Sequence, residues 1–254
     1  MFKRYVAVCV IFTSLFFAHQ TASALTVGTF DIEDFHIAGT SGVSRKSAPY
    51  DQRDMRDLAR AVRKSRADVL ALQEVEGDAT MRYFAVTAMH GWKYAGNDTA
   101  GVEDLYFMWD PKKVTLQGRV QALKANLSRT PVAARFADSA TGRTYTLVNA
   151  HLDNTAADEQ MKELYRCAKT LPQPVILLCN FGDPDLQHPD IAFRKLEGGF
   201  SCDDSGSSPD FIGYLGISSD KLGTVKETET SIRRRSSKRR EHPSHDIITV
   251  EVFK

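Results

Sequence analysis

The chain has 254 residues, 42% of them hydrophobic and 26% charged, with 33 Lys and Arg against 32 Asp and Glu and a formal net charge of +1. That balance argues against a generally basic nucleic-acid coat protein and against an acidic disordered chain. Sixteen Gly and nine Pro exclude a collagen-like or low-complexity polymer, and the length suffices for one large domain with a sizeable core.

At the N-terminus, Lys3 and Arg4 precede a nearly uncharged apolar run from Tyr5 to Ala18, followed by Ala22-Ser23-Ala24, a small-x-small pattern. The run is about 14 residues, short of the roughly 20 that cross a hydrocarbon core as a helix. This is the layout of a cleavable signal peptide. The expectation is cleavage after Ala24, a domain over 25–254, and a secreted or periplasmic protein without stable membrane insertion. Residues 1–24 carry two basic side chains and no acidic one, so the processed chain has a charge of −1. Cys9 leaves with the leader, and Cys167, Cys179 and Cys202 remain, an odd number in a disulfide-permissive compartment. Cys179 ends a buried-strand run, so Cys167 and Cys202 are the better candidates for a bridge. Their spacing is not that of a zinc site.

The elements follow from periodicity. Leu25 to Ile32 reads as a strand. Asp51 to Lys64 places Met55, Leu58, Ala59 and Val62 on one stripe of an amphipathic helix. Asp68 to Gln73 is a strand apolar on both faces, and Ala79 to Met89 a second helix. Leu105 to Trp109, Val114 to Val120, Val132 to Phe136 and Thr144 to Asn149 read as successive strands. Asp158 to Thr170 is a helix, Val175 to Asn180 a strand, and Phe211 to Ile217 and Ile247 to Phe253 are late strands. Trp92 and Trp109 are expected in the core. There is no internal repeat and no linker, so one α/β (α+β) domain of packed sheets flanked by helices is expected.

Polar residues recur at the ends of these strands. Asp31 follows Thr29-Phe30, Glu74 follows LALQ, His151 follows LVNA, Asn180 follows VILLC, Asp210 precedes FIGY, and His245 precedes the last strand. Singly, each reads as a turn residue or cap. Together, carboxylates and histidines on one sheet edge form a rigid multi-residue site, and the hard carboxylate oxygens suit Mg²⁺ or Mn²⁺. His36 is equally consistent with the site and with a surface loop.

TFDIEDFH (29–36), DVLALQEVE (68–76) and LVNAHLD (147–153) resemble the endonuclease/exonuclease/phosphatase superfamily. RTPVAARF (129–136), PVILLCNFG (174–182), PDFIGYLGIS (209–218) and HPSHDIITVEV (242–252) follow in the family's order. The resemblance implies a four-layer α/β/β/α sandwich of two mixed sheets with helices outside. It also implies that Glu74 holds a divalent metal, that His151 contacts the scissile phosphate, that Asp210 orients the site, and that His245 is the final histidine. Arg129 falls where the family often places a phosphate-facing arginine.

The departures are as informative. The family's first-strand Asn is Asp31. Its Gly-Asp-Phe-Asn segment is Cys179-Asn180-Phe181-Gly182, and its Ser-Asp-His is Pro243-Ser244-His245. An amide cannot take a proton from water, so Asn180 cannot be the base. One compensation is a charge swap, in which Asp31 supplies the carboxylate that Asn180 lacks and holds the metal with Glu74. Another is a shift to Asp183 and Asp185.

The run 233–240 carries Arg233, Arg234, Arg235, Lys238, Arg239 and Arg240. It reads as a solvated loop, a targeting tract, or an arm that contacts phosphates of a nucleic acid or another polyanion, the last slightly favoured by its position just before His245. Two functions stay open. One is an exported, Mg²⁺- or Mn²⁺-dependent phosphodiester hydrolase of the nuclease lineage with weakened or rearranged catalysis. The other is an inactive member that has lost its metal and binds nucleic acid or a protein partner.

Overall fold

The computed structural model describes residues 24–39, 49–99, 104–152, 157–180, 192–194, 210–217, 219–223, 226–228 and 247–253. These form two six-stranded sheets. One has the order β11 (Lys226–Thr228), β12 (Ile247–Val252), β1 (Leu25–Phe35), β2 (Val69–Val75), β4 (Asp104–Trp109), β3 (Lys93–Asn97). The other has the order β5 (Val114–Ala122), β6 (Val132–Asp138), β7 (Thr144–His151), β8 (Val175–Asn180), β10 (Asp210–Leu215), β9 (Ala192–Arg194). Both are mixed: β1 runs parallel to β2, and β7 parallel to β8, while the other neighbours are antiparallel. Helix α1 (Gln52–Ser65) joins the first parallel pair and α3 (Ala157–Ala168) the second; α2 (Gly77–Thr87) follows β2.

The side-chain period of two along a strand sorts the apolar residues into three cores. Between the sheets lie Val69 and Ala71 of β2, Phe107 and Trp109 of β4, Phe136 of β6, Leu147 of β7, and Ile176 and Leu178 of β8. The intervening residues face outward. Phe30, Leu70, Leu72 and Tyr106 pack under Met55, Leu58 and Val62 of α1 and Met81 and Phe84 of α2. Val148, Ala150, Leu177 and Cys179 pack under Met161, Leu164 and Tyr165 of α3. Strands covered on both faces must read as continuous apolar runs, as VLAL, FMW and VILLC do. The result is the expected four-layer α/β/β/α sandwich. Helix α1 begins on a capping box: the Asp51 carboxylate accepts from the N–H groups of Arg53 and Asp54, and Asp54 answers to the Asp51 N–H.

Several expectations need correction. β1 does not stop at Ile32 but continues through an irregularity to Phe35. Helix α2 starts at Gly77 and ends at Thr87, two residues earlier at each end than expected. β3 is a half-exposed edge strand of sequence KYAGN, without the alternation that announces a strand, and β9 and β11 are three residues each. Cys167 is a buried free thiol with Sγ 3.5 Å from the Lys124 carbonyl oxygen, and Cys202, expected as its bridge partner, lies outside the described residues. Trp109 is buried between the sheets and Trp92 packs against the outer core, as expected. The segment 1–23, Cys202, His245 and the basic run lie outside the described residues. Among the described residues, no helix is long and apolar enough to cross a membrane.

Candidate metal and phosphate site

Because β1 and β2 are parallel, as are β7 and β8, their C-terminal ends meet at one edge of the sandwich. Asp31, Glu74, His151 and Asn180 stand there, and Asp210, opening antiparallel β10, is the register partner of Asn180. Asp31, Glu74 and His151 each present a ligand-type atom within 4.8 Å of the others. His151 Nε2 lies 3.7 Å from Asp31 Oδ2, and its Nδ1 lies 3.8 Å from Glu74 Oε1. Asn180 Nδ2 donates to Asp31 Oδ2 at 2.8 Å. Asp31, His151 and Asn180 are buried, while Glu74 is half-buried and opens the cluster towards solvent.

The backbone that builds this cluster is unusual. Glu33, Asp34 and Glu74 have φ of 55°, 50° and 57°, in the left-handed region that non-glycine residues rarely enter. Such conformations persist only where surrounding contacts hold them, and they concentrate at functional sites. Here the contacts are evident. The bulge after Asp31 turns the Glu33 N–H onto Asp31 Oδ1 at 2.9 Å and the Asp34 N–H onto Glu74 Oε2 at 3.1 Å. The Tyr50 hydroxyl donates to the Ile32 carbonyl at 2.6 Å. His36 is buried with Nδ1 2.7 Å from the Asp34 carbonyl oxygen, so it braces the bulge. A carbonyl oxygen only accepts, which places the proton on Nδ1.

Beneath the cluster runs a polar bridge between the sheets. Gln73 Nε2 donates to Thr29 Oγ1 at 2.9 Å and to Asn149 Oδ1 at 2.7 Å, and Asn149 Nδ2 donates to the carbonyls of Leu72 and Tyr106 at 3.0 and 2.9 Å. Thr29, Gln73 and Asn149 have no solvent exposure. Each sits one or two residues before a member of the cluster, so the bridge fixes the spacing of the Asp31–Glu74 edge against the His151–Asn180 edge. The visible signal was a polar residue inside an otherwise buried apolar run, as in LALQEV and LVNAH.

Burial, and then the neighbouring Glu74 carboxylate, push the Asp31 carboxyl well above its ordinary range; the Glu33 N–H and the Arg129 charge act the other way. Arg129 therefore stands close enough to the cluster to act on its charge. Two carboxylates held together by backbone donors, partly buried and mutually repelling, form the donor set that a hard divalent cation relieves, so the residues present fit such an ion. The structure thus brings together Asp31, Glu74, His151 and Asn180, with the Arg129 charge acting on Asp31, and it places the backbone of Asp210 beside Asn180. His245 and Arg233, Arg234, Arg235, Lys238, Arg239 and Arg240 are not among the described residues.

No family model and no curated protein matches the sequence. Solved structures do match. An endonuclease/exonuclease/phosphatase family protein from Bacteroides thetaiotaomicron aligns with a TM-score of 0.67 at 16% identity, over 92% of this chain and 99% of that one. A mannosyl-6-phosphatase from the same species aligns at 0.60 and 15%, over 91% and 100%. D. rerio TDP2, complexed with a single-strand DNA product, aligns at 0.57 and 14%, over 91% and 100%. Strand order, layers and these alignments agree that the chain has the endonuclease/exonuclease/phosphatase fold.

Proposed function

We propose that the protein is an exported, divalent-metal-dependent phosphodiester hydrolase in which the acidic and amide residues at the centre of the site have exchanged strands. The observation that carries this reading is the 2.8 Å hydrogen bond from Asn180 Nδ2 to Asp31 Oδ2. It joins two of the positions that depart from the family pattern and leaves one carboxylate and one amide between them.

In this reading Glu74 and Asp31 hold Mg²⁺ or Mn²⁺. Held there, such an ion would supply Lewis-acid polarisation of a phosphoryl oxygen. Asn180 donates to Asp31 Oδ2 and the Glu33 N–H to Oδ1, so the carboxylate is fixed in plane before substrate arrives. His151 lies between Asp31 and Glu74 and neutralises the scissile phosphate as charge develops on it. Arg129 adds a positive charge on the same side. Asp210 orients the final histidine, His245, which serves the leaving group, and the basic run 233–240 tracks a polyanionic substrate such as DNA or RNA. D. rerio TDP2 with its DNA product supports the nucleic-acid substrate.

The second reading, an inactive member that binds nucleic acid or a partner, is favoured by Asn180 itself, which cannot accept a proton. The two separate on one experiment. Purified protein with supercoiled plasmid and Mg²⁺ or Mn²⁺ should nick the DNA, and His151→Ala protein prepared identically should not. Equal background in both preparations refutes the hydrolase and leaves the binding reading.

A further inference from the structure

At the opposite pole from the cluster, where β7 and β8 begin and β10 and β12 end, the sandwich opens into a cleft of about 330 Å³. Along β7 this is roughly 20 Å from His151. The volume lies at the lower end of the range of small-molecule sites. Its rim carries two exposed cations, Arg143 and Lys221, and among the described residues neither makes an ion pair. Neighbouring acids are already engaged. Asp138 accepts from the Ala140 N–H and the Thr141 hydroxyl, and Glu251 pairs with Lys226 at 2.7 Å. Gln173 and Tyr145 also line the cleft, the Tyr145 hydroxyl accepting from Arg143, and Ile217 and the 36%-exposed Phe253 supply an apolar wall.

We propose that this cleft is a second ligand site, for a small organic phosphate with a flat apolar body. The phosphate sits between Arg143 and Lys221, and the ring lies against Ile217 and Phe253. Two uncompensated cations set a few residues from an apolar wall select for a dianion joined to a ring; either part alone would use half of the cleft. Gly216 borders it with φ of 69°, and a Cβ there would fall 2.8 Å from Gln173 Oε1, so the backbone approaches the Gln173 amide more closely than any other residue allows. The site is independent of the metal cluster and of the reaction proposed there.

Phenyl phosphate is the probe, with inorganic phosphate and phenol as its two halves. The titration follows backbone amide resonances of the full chain in EDTA, repeated on His151→Ala protein so that the probe is not turned over. Shifts should centre on Gln173, Gly216 and Ile217, with phenyl phosphate binding at least about tenfold more tightly than either half. Arg143→Ala with Lys221→Ala should weaken it by about tenfold or more without lowering the melting temperature, since both side chains are exposed, and Lys221→Glu should abolish it. His151→Ala should leave it unchanged. Absence of binding at about 10 mM, shifts centred on Asp31 and His151 instead, or binding indifferent to both cation variants would each overturn the proposal.

Discussion

Asp31→Asn separates what the site costs from what it does. Asp31 and Glu74 place carboxylate oxygens within 4.8 Å of one another. At an effective dielectric of about 20, two unit charges at that distance repel by roughly 3 kcal/mol, and the metal-free protein avoids part of this by keeping a proton. The Asp31 carboxyl is raised in the folded chain from its ordinary 3.8, by burial first and Glu74 second. The stabilising proton is therefore fully present below the unfolded value, and its contribution is lost as pH rises through the folded value. Asp31→Asn removes that loss. The new amide nitrogen faces one of the two donors that Asp31 satisfies, the Glu33 N–H or Asn180 Nδ2, a cost that does not vary with pH; in EDTA the stability of the variant relative to wild type should therefore rise by about 1–2 kcal/mol, or roughly 2–8 °C in melting temperature, from pH 4 to neutral pH. Added Mn²⁺ should raise the wild-type melting temperature, increasingly so with rising pH because the ligands must be ionised, and should do little for the variant. Differential scanning fluorimetry over pH, with and without Mn²⁺, reads all of this. A stability difference between variant and wild type that stays constant with pH in EDTA, with the same Mn²⁺ shift in both, refutes the reasoning.

Two further perturbations test the scaffold under the site. Gln73→Leu leaves the Asn149 and Thr29 oxygens buried without their donor; urea unfolding should show a loss of roughly 2–3 kcal/mol, less than additive with Asn149→Leu, because the two share one bond. Gly28→Ala would set a Cβ 2.6 Å from the Ile248 carbonyl oxygen on the neighbouring strand, so the β1–β12 pairing must yield; about 1–3 kcal/mol should be lost by the same assay.

The sandwich was largely legible because its strands are covered on both faces. VLAL, FMW and VILLC have no reason to be apolar throughout unless helices lie on one side and a sheet on the other. Of the four edge strands only β5 was legible; KYAGN and the three-residue β9 and β11 are held by ladder bonds to one neighbour and carry no pattern of their own. The cluster followed from polar residues terminating apolar runs, so Asp31, Glu74, His151 and Asn180 were found together. What a linear reading missed was the bulge. No glycine marks Glu33, Asp34 or Glu74, and their left-handed backbone is imposed by bonds to residues 40 positions away and by Tyr50 and His36. The Gln73–Asn149 bridge was hidden likewise, because a hydrogen bond between sheets joins positions 76 apart.

The exchange of Asp31 and Asn180 is tested most directly by reversing it. Metal-dependent plasmid nicking should be measured for wild type, Asp31→Asn, Asn180→Asp and the double variant. The single variant Asp31→Asn should lose about 10²–10⁴-fold in rate, and the double variant, which restores one carboxylate and one amide across the same 2.8 Å contact, should recover most of it. Nicking by Asp31→Asn at the wild-type rate, or a double variant as inactive as the single one, would contradict the account.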